Sequence, residues 1–200
     1  MLYQIHRYPA DLIDVVRLAG GAQRVVIRPV LPQDEDLTSA FFGDLPARAR
    51  YDRFMSPMHN LPPELVKRFT NVDYANHLAL VAEIFVDGRE IVVAEARYAL
   101  KGDPSVAEFA VSVADQWQGK GLASLLLNKL LCHAATAGIE RVVGETLATN
   151  AGMLHLARKV GFTVTRSTDV RGLMLLDKVL APERAGTPCG GGDGRAFMAA

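Results

Sequence analysis

The chain reads as a mixed α/β domain around one sheet. Three observations lead there. Half of the 200 residues are hydrophobic and 22% are charged, the balance of a chain that folds around a core. Hydrophobic periodicity switches repeatedly between strand-like and helix-like, in the order β, helices, β-hairpin, β, α, β, α, β, β. One strand near residue 113 runs through a glycine-containing loop directly into a long amphipathic helix.

Residues 1–24 carry a weak pattern and read as an N-terminal extension. The first clear strand is Val25 to Pro29, closed by a proline that cannot extend a ladder. Asp34 and Glu35 open a helix through Leu37, Phe41 and Phe42, their charge suiting the positive end of the helix dipole. A second helical piece covers about 46–54, and Pro62-Pro63-Glu64 begins a third with Leu65, Val66 and Phe69 at helical spacing. His77 to Val86 and Glu90 to Leu100 form two strands joined by Asp87-Gly88, a pair that tolerates the positive φ of a tight hairpin. Pro104 separates this hairpin from a strand over Ala107 to Val113. From Gly121 to about Ala137, Leu122, Leu125, Leu126, Leu130 and Ala134 share one helical face, and Gly138 stops the helix. A strand over Arg141 to Thr146, a helix over 150–160 and strands over 162–166 and 172–179 complete a domain of residues 25–180. Residues 181–200, rich in Gly, Pro and Ala, are expected to form a flexible tail.

Composition excludes several function classes. Lys plus Arg and Asp plus Glu each total 22, so no global field holds a polyanion, and neither nucleic acid nor an anionic membrane is expected as partner. The longest apolar stretch, Leu78 to Val86, is broken by Glu83 and falls short of the roughly 20 residues that span a bilayer. No secretory leader pattern opens the chain, so a cytoplasmic location is the default. Cys132 and Cys189 form neither a disulfide framework nor a zinc spacing and read as reduced thiols. His59, His77, His133 and His155 have no metal-triad spacing, and no metal is expected.

The chemistry sits in Glu108 to Ala123. A strand, a loop of small residues and a helix start present unpaired backbone N–H groups at a positive dipole end, a setting for a phosphate. Lys120 adds a point charge. Gly119-Lys-Gly121-Leu-Ala-Ser124 matches two glycines of a dinucleotide fingerprint, and Glu145 lies near the spacing of its ribose-binding acid. The third glycine is Ser124, however, and the alternating units of a doubly wound sheet are missing.

Gln118-Gly-Lys-Gly121-Leu-Ala123 resembles the pyrophosphate loop of the GNAT acetyltransferase superfamily. Asn150 and the downstream Ala157-Arg-Lys-Val-Gly161-Phe162 resemble its second coenzyme motif. Ile27-Arg-Pro, Arg50-Tyr-Asp-Arg-Phe-Met-Ser56, Arg68-Phe-Thr-Asn-Val-Asp-Tyr74, Ala107-Glu-Phe-Ala-Val111 and Val143-Gly-Glu145 look like the acetyltransferase domain of Pat-type bacterial protein lysine acetyltransferases. In that group the domain is often fused to a nucleotide-binding or acyl-CoA-synthetase-like partner. The resemblance implies a central mixed, mostly antiparallel sheet flanked by helices, with splayed strands forming an acetyl-CoA cleft. It implies pantetheine along Val111 to Val113, with the Val113 N–H donating to the thioester oxygen. Pyrophosphate would lie on Gln118, Gly119, Lys120, Gly121, Leu122, Ala123 and Ser124, and Asn150 would hold the pantetheine arm or order a water.

An amine with a reference pKa of about 10.4 arrives protonated, so attack needs a base. Glu108 suits that task, its apolar neighbours Ala107, Phe109 and Ala110 implying desolvation. The bland alternatives are a solvated strand residue or an ion pair with Arg97. Asn150 is equally an N-cap, Arg158 and Lys159 a solvated helix end or, as the lesser alternative, a contact to the coenzyme's 3′-phosphate, and Arg48 to Arg53 with Tyr51 and Tyr74 either an acceptor surface or packing. The tyrosine that many relatives use to protonate the thiolate is Ala157 here. Expected chemistry is therefore N-acetylation from acetyl-CoA by direct attack, with a protein lysine as leading acceptor and a small amine as rival. A non-catalytic acyl-CoA-binding module is a further alternative. A monomer or homodimer is expected.

Overall fold

The computed structural model describes residues 8–18, 23–181 and Cys189. Eight strands form one sheet: β1 (Asp14–Arg17), β2 (Arg24–Pro29), β3 (His77–Val86), β4 (Arg89–Lys101), β5 (Asp103–Val113), β6 (Arg141–Leu147), β7 (Thr163–Arg166) and β8 (Leu173–Val179). Their spatial order is β1-β2-β3-β4-β5-β6-β8-β7. Neighbours are antiparallel except β5 and β6, which are parallel. Five helices flank the sheet: α1 (Glu35–Asp44), α2 (Ala47–Phe54), α3 (Pro63–Thr70), α4 (Leu122–Thr136) and α5 (Ala151–Lys159).

β3 shows how the core divides. Leu78, Leu80, Ala82 and Ile84 pack into the cluster shared with Leu122, Leu126 and Leu130 of α4, whereas Ala79 and Val81 join Phe41, Phe42, Val66 and Phe69 of α1 and α3. Alternate side chains thus enter two cores on opposite faces of the sheet. Both faces being covered, the strand reads as one continuous apolar run. Its one charge, Glu83, is buried against Arg28, which also pairs with Asp34 at 2.6 Å. A buried carboxylate needs such a partner to offset its desolvation.

Local signals place most elements. Asp87 and Gly88 adopt φ values of 49° and 76° in the β3–β4 turn. α4 ends at Ala137, with Gly138 at φ 84°, the left-handed conformation that closes a helix. Pro104 lies inside β5 instead of separating it from the hairpin, because the chain turns at Gly102 and Lys101 already pairs with Asp103. A proline is tolerated near the start of a strand.

The segment ahead of residue 25 contributes β1, buried Leu12 and an ion pair of 3.0 Å from Asp14 to the buried Lys129 on α4. Apart from Ala181 and Cys189, the tail expected over 181–200 lies outside the described residues. The reading of Cys132 and Cys189 as reduced thiols is corrected: they form a disulfide. They stand 57 residues apart, so only folding brings them together, and sequence spacing carries no trace of the pairing.

One stability consequence follows from β3. His77 lies within 3.2 Å of the Arg97 guanidinium. Burial first, and then that cation, push its imidazole from 6.5 down to about 4. An unfolded chain therefore takes up a proton below pH 6.5 that the native state refuses. Stability is unaffected above that pH and falls as pH drops toward 4, by roughly 3 kcal/mol in all. His133, also pushed down by burial, acts in the same direction. Urea unfolding at pH 7 and pH 4.5 should show the loss, and His77→Gln should remove most of its slope; an unchanged slope in that variant would reject the assignment.

Candidate active site

The site begins where two parallel strands part. β5 and β6 pair only over Val106–Glu108 with Arg141–Val143, after which Phe109–Val113 and Gly144–Leu147 diverge. The N–H of Ala114 donates to Val93 of β4, and N–H groups alternate sides along a strand. Those of Val111 and Val113 accordingly point away from β4 into the opening. The divergence is held by Phe109, whose ring packs 4.7 Å from that of Phe162 and directly against Gly144.

Past Val113 the chain makes a short 3-10 turn at Asp115–Trp117, then Gly119 and Gly121 take φ values of 72° and 84° before α4 starts at Leu122. Left-handed backbone at both positions explains the two glycines. No side chain caps α4, so the first N–H groups of the helix face the opening unpaired. Gln118 braces the loop: its Nε2 donates to the Val113 carbonyl at 3.1 Å and to Asp115 at 3.0 Å. Lys120 Nζ lies 4.7 Å from the Trp117 ring centroid, and Lys120 does not line the cleft.

A cavity of about 780 Å³ fills this opening. Gln118, Gly119 and Gly121 to Ser124 line one end, Glu108 to Val113 and Gly144 to Thr146 the sides, and residues of α2 and of α5 from Gly152 to Lys159 much of the remainder. Asn150 caps α5, its Oδ1 accepting the Met153 N–H at 3.0 Å. Its Nδ2 has no hydrogen-bond partner among the described residues, and Asn150 lines the same cavity. The buried Thr146 hydroxyl is also unpaired there.

A second cavity of about 280 Å³ meets the first at Glu108, Gly144, Glu145 and Leu176, and is further lined by Lys101, Arg141 and Asp177. Glu108 thus stands at the junction. Its side chain is 47% exposed and pairs with Lys101 Nζ at 3.3 Å. Neither the expected desolvation nor the alternative pairing with Arg97 is what the fold produces. Glu108 points out of the sheet toward solvent, and Arg97 is ion-paired to Glu95.

Other anticipated residues separate. Arg50 donates to the carbonyls of Gly43, Leu45 and Met58 and holds the loops around α2. Tyr74 donates to the Val30 carbonyl, and neither it nor Tyr51 lines either cavity. Arg48 reaches Thr149 at 2.7 Å across the cleft mouth, and Arg53 lines the wall. Lys159 reaches the cavity whereas Arg158 does not. Ala157 is fully buried, and no tyrosine lines the cavity among the described residues. Sequence reasoning missed Gly144 and Thr146, whereas Arg53 belongs to the cluster offered as an acceptor surface. Gly144 was visible only as part of a motif, and the signal that matters is a ring brought against it from another strand.

A family model for the acetyltransferase (GNAT) domain matches residues 24–163. The chain belongs to the GNAT acetyltransferase family. Among GNAT relatives, Acetyltransferase PA5475 of Pseudomonas aeruginosa is 30% identical over 154 residues, covering 77% of this chain and 83% of that protein. Acetyltransferase Pat of Mycolicibacterium smegmatis is 31% identical over 136 residues, 68% of this chain but only 40% of that longer protein. The GNAT domain of S. lividans PAT superimposes with a TM-score of 0.77 at 29% identity, over 87% of this chain and all of that one. The Pat-type likeness and the GNAT arrangement of a mostly antiparallel sheet flanked by helices therefore hold. YncA of Salmonella typhimurium, solved with acetyl-CoA, shares the fold with a TM-score of 0.61 at 21% identity. Among the described residues no helix is long and apolar enough to cross a membrane.

Proposed function

We propose that this acetyltransferase moves an acetyl group from acetyl-CoA to the ε-amine of a protein lysine, with Glu108 as general base. The observation that carries the reading is the position of Glu108 between two cavities, one bordered by the main-chain N–H groups of an uncapped helix start and the other by Glu145 and the ion pairs of Lys101 with Glu108 and Arg141 with Asp177. The first fits the coenzyme: glycines at positive φ, an uncapped helix start, an unpaired Thr146 hydroxyl and a free Asn150 amide all face it. Gln118 to Ser124, with Lys120 beside them, would take the pyrophosphate, and Val111, Val113 and Asn150 the pantetheine arm.

Acetyl-CoA supplies an activated thioester. The chain's part is to orient it and to manage charge and protons. The Val113 N–H, pointing into the opening, would donate to the thioester oxygen and strengthen that bond as the oxygen gains negative charge. The acceptor ammonium would enter from the smaller cavity, where Lys101 pairs with Glu108 and Arg141 with Asp177, and Glu145 is the carboxylate with no ion pair among the described residues. There it displaces Lys101 from Glu108, which then removes the proton. The exchange costs little, because an ion pair half-open to water is worth about 0–1 kcal/mol. Attack is direct. Ser112 and Ser124 line the cleft without a hydrogen-bonded base, and Cys132 is tied up in the disulfide. A thiol with a reference pKa near 8.5 leaves as an anion without the missing tyrosine.

The relatives named Pat and PAT support the protein acceptor. Incubation with acetyl-CoA and a cell extract, followed by mass spectrometry of proteins and small amines, tests it. Enzyme-dependent acetyl-lysine in proteins is expected; acetylated metabolites with unmodified proteins would overturn the acceptor. Gly121→Asp should weaken acetyl-CoA binding about tenfold or more in calorimetry, because it places a carboxylate at left-handed backbone in the phosphate loop. Unaltered binding would place the coenzyme elsewhere.

A further inference from the structure

Among the described residues no ion pair joins Arg53 to a carboxylate. Arg53 reaches the cavity wall from the last turn of α2, lying over Phe54 at 5.0 Å and 5.6 Å from the Phe69 ring centroid. Its Nε is shielded from solvent and has no hydrogen-bond partner. The neighbouring charges are paired elsewhere: Arg97 with Glu95, whose second oxygen is buried without a hydrogen-bond partner, Glu108 with Lys101, and Arg48 with Asp52. Glu95 and Glu108 attract Arg53 from a distance, and no ion pair joins it to either among the described residues. Burial pushes its guanidinium down to about 10, so it remains charged at neutral pH.

Register shows what the group faces. Ala110 and Ser112 of β5 lie opposite Arg97 and Glu95 of β4, so these side chains share one face of the sheet with Glu108. α2 packs over that face against β5 and β6. Arg53 therefore sits across the floor of the cleft from the base, away from the loop of Gln118 to Ser124.

We propose that Arg53 is a carboxylate-binding residue of the reaction cleft, taking an acid group carried by one of the two substrates. A planar guanidinium matches a carboxylate bidentately, and a shielded positive charge without an ion pair favours an anion over a neutral carbonyl. The carboxylate has two possible sources: the distal acid of a dicarboxylic acyl-CoA such as succinyl-CoA, or an acidic residue beside the acceptor lysine. In either case a C–N bond forms as the thioester C–S bond breaks, CoA leaves as thiol, and the carboxylate is unchanged. The proposal rests on the coenzyme reading above.

Two arms test it on the full chain. The first compares succinyl-CoA with acetyl-CoA by calorimetry and by kcat/KM. The second compares lysine peptides carrying Glu or Gln beside the target, with acetyl-CoA as donor. At least one acidic substrate should be preferred about tenfold or more. Arg53→Met should abolish that preference, and Arg53→Lys should restore part of it. Melting curves confirm that both variants fold, and Arg53→Lys keeps the test decisive if Arg53→Met does not. No preference in either arm, or a preference that survives Arg53→Met, overturns the assignment. Failure of the native chain to bind CoA at all would overturn the coenzyme reading and this site with it, and is recognised before any variant is made.

Discussion

Glu108→Gln is expected to lower acetyl transfer by about 10²–10⁴-fold, the usual contribution of a general base, while acetyl-CoA affinity stays within about twofold. The amide keeps the shape and hydrogen-bonding reach of the side chain but accepts no proton at neutral pH. Coenzyme affinity should be spared because the proposed coenzyme contacts, the loop of Gln118 to Ser124 and the Val111 and Val113 amides, lie elsewhere in the cleft. A second variant separates catalysis from ion pairing. Lys101→Met removes the partner of Glu108 and leaves its carboxylate. If the pair were merely structural, both variants would behave alike. If Glu108 is the base, Lys101→Met retains turnover and changes chiefly the KM of the cationic acceptor. Thiol release and calorimetry measure both quantities, and native turnover in Glu108→Gln would remove Glu108 from the mechanism.

Gly144→Ala should destabilise the fold by about 1–3 kcal/mol, the usual cost of overpacking a filled core. An added Cβ would stand 2.6 Å from Phe109 Cε1 and 3.0 Å from Cδ1. The ring is backed by Phe162 at 4.7 Å, so its retreat disturbs a second residue. The wedge between β5 and β6 depends on this packing, and CoA binding should weaken together with stability. For a chain of this length the loss corresponds to roughly 2–12 °C in melting temperature. Phe109→Leu alone is also destabilising, but combined with Gly144→Ala it should recover part of the loss, since the flexible side chain leaves room for the methyl. Strict additivity in that cycle would show that the two residues do not share the space.

How far each feature could be read depended on how local its cause is. The α4 face, the Asp87-Gly88 turn and the Gly138 stop each arise within a few residues, and the fold reproduces them. The backbone of the glycine loop belongs to the same class: Gly119 and Gly121 are needed for left-handed backbone just ahead of a helix. Pro104 was misplaced because its constraint is the turn at Gly102, which lets β5 start earlier than its apolar residues suggest.

The amino-acid order by itself determined the succession of elements, the loop that faces the coenzyme cleft and the candidacy of Glu108, because each rests on short-range backbone preference or residue chemistry. Tertiary structure alone decided that Lys101 rather than Arg97 faces Glu108, that Phe109 fills the space above Gly144, that Cys132 meets Cys189 and that Arg53 has no ion pair among the described residues. These facts depend on distances between residues far apart in the chain. Charge pairing and steric exclusion act through space over a few ångströms, and that separation exists only once the sheet has assembled.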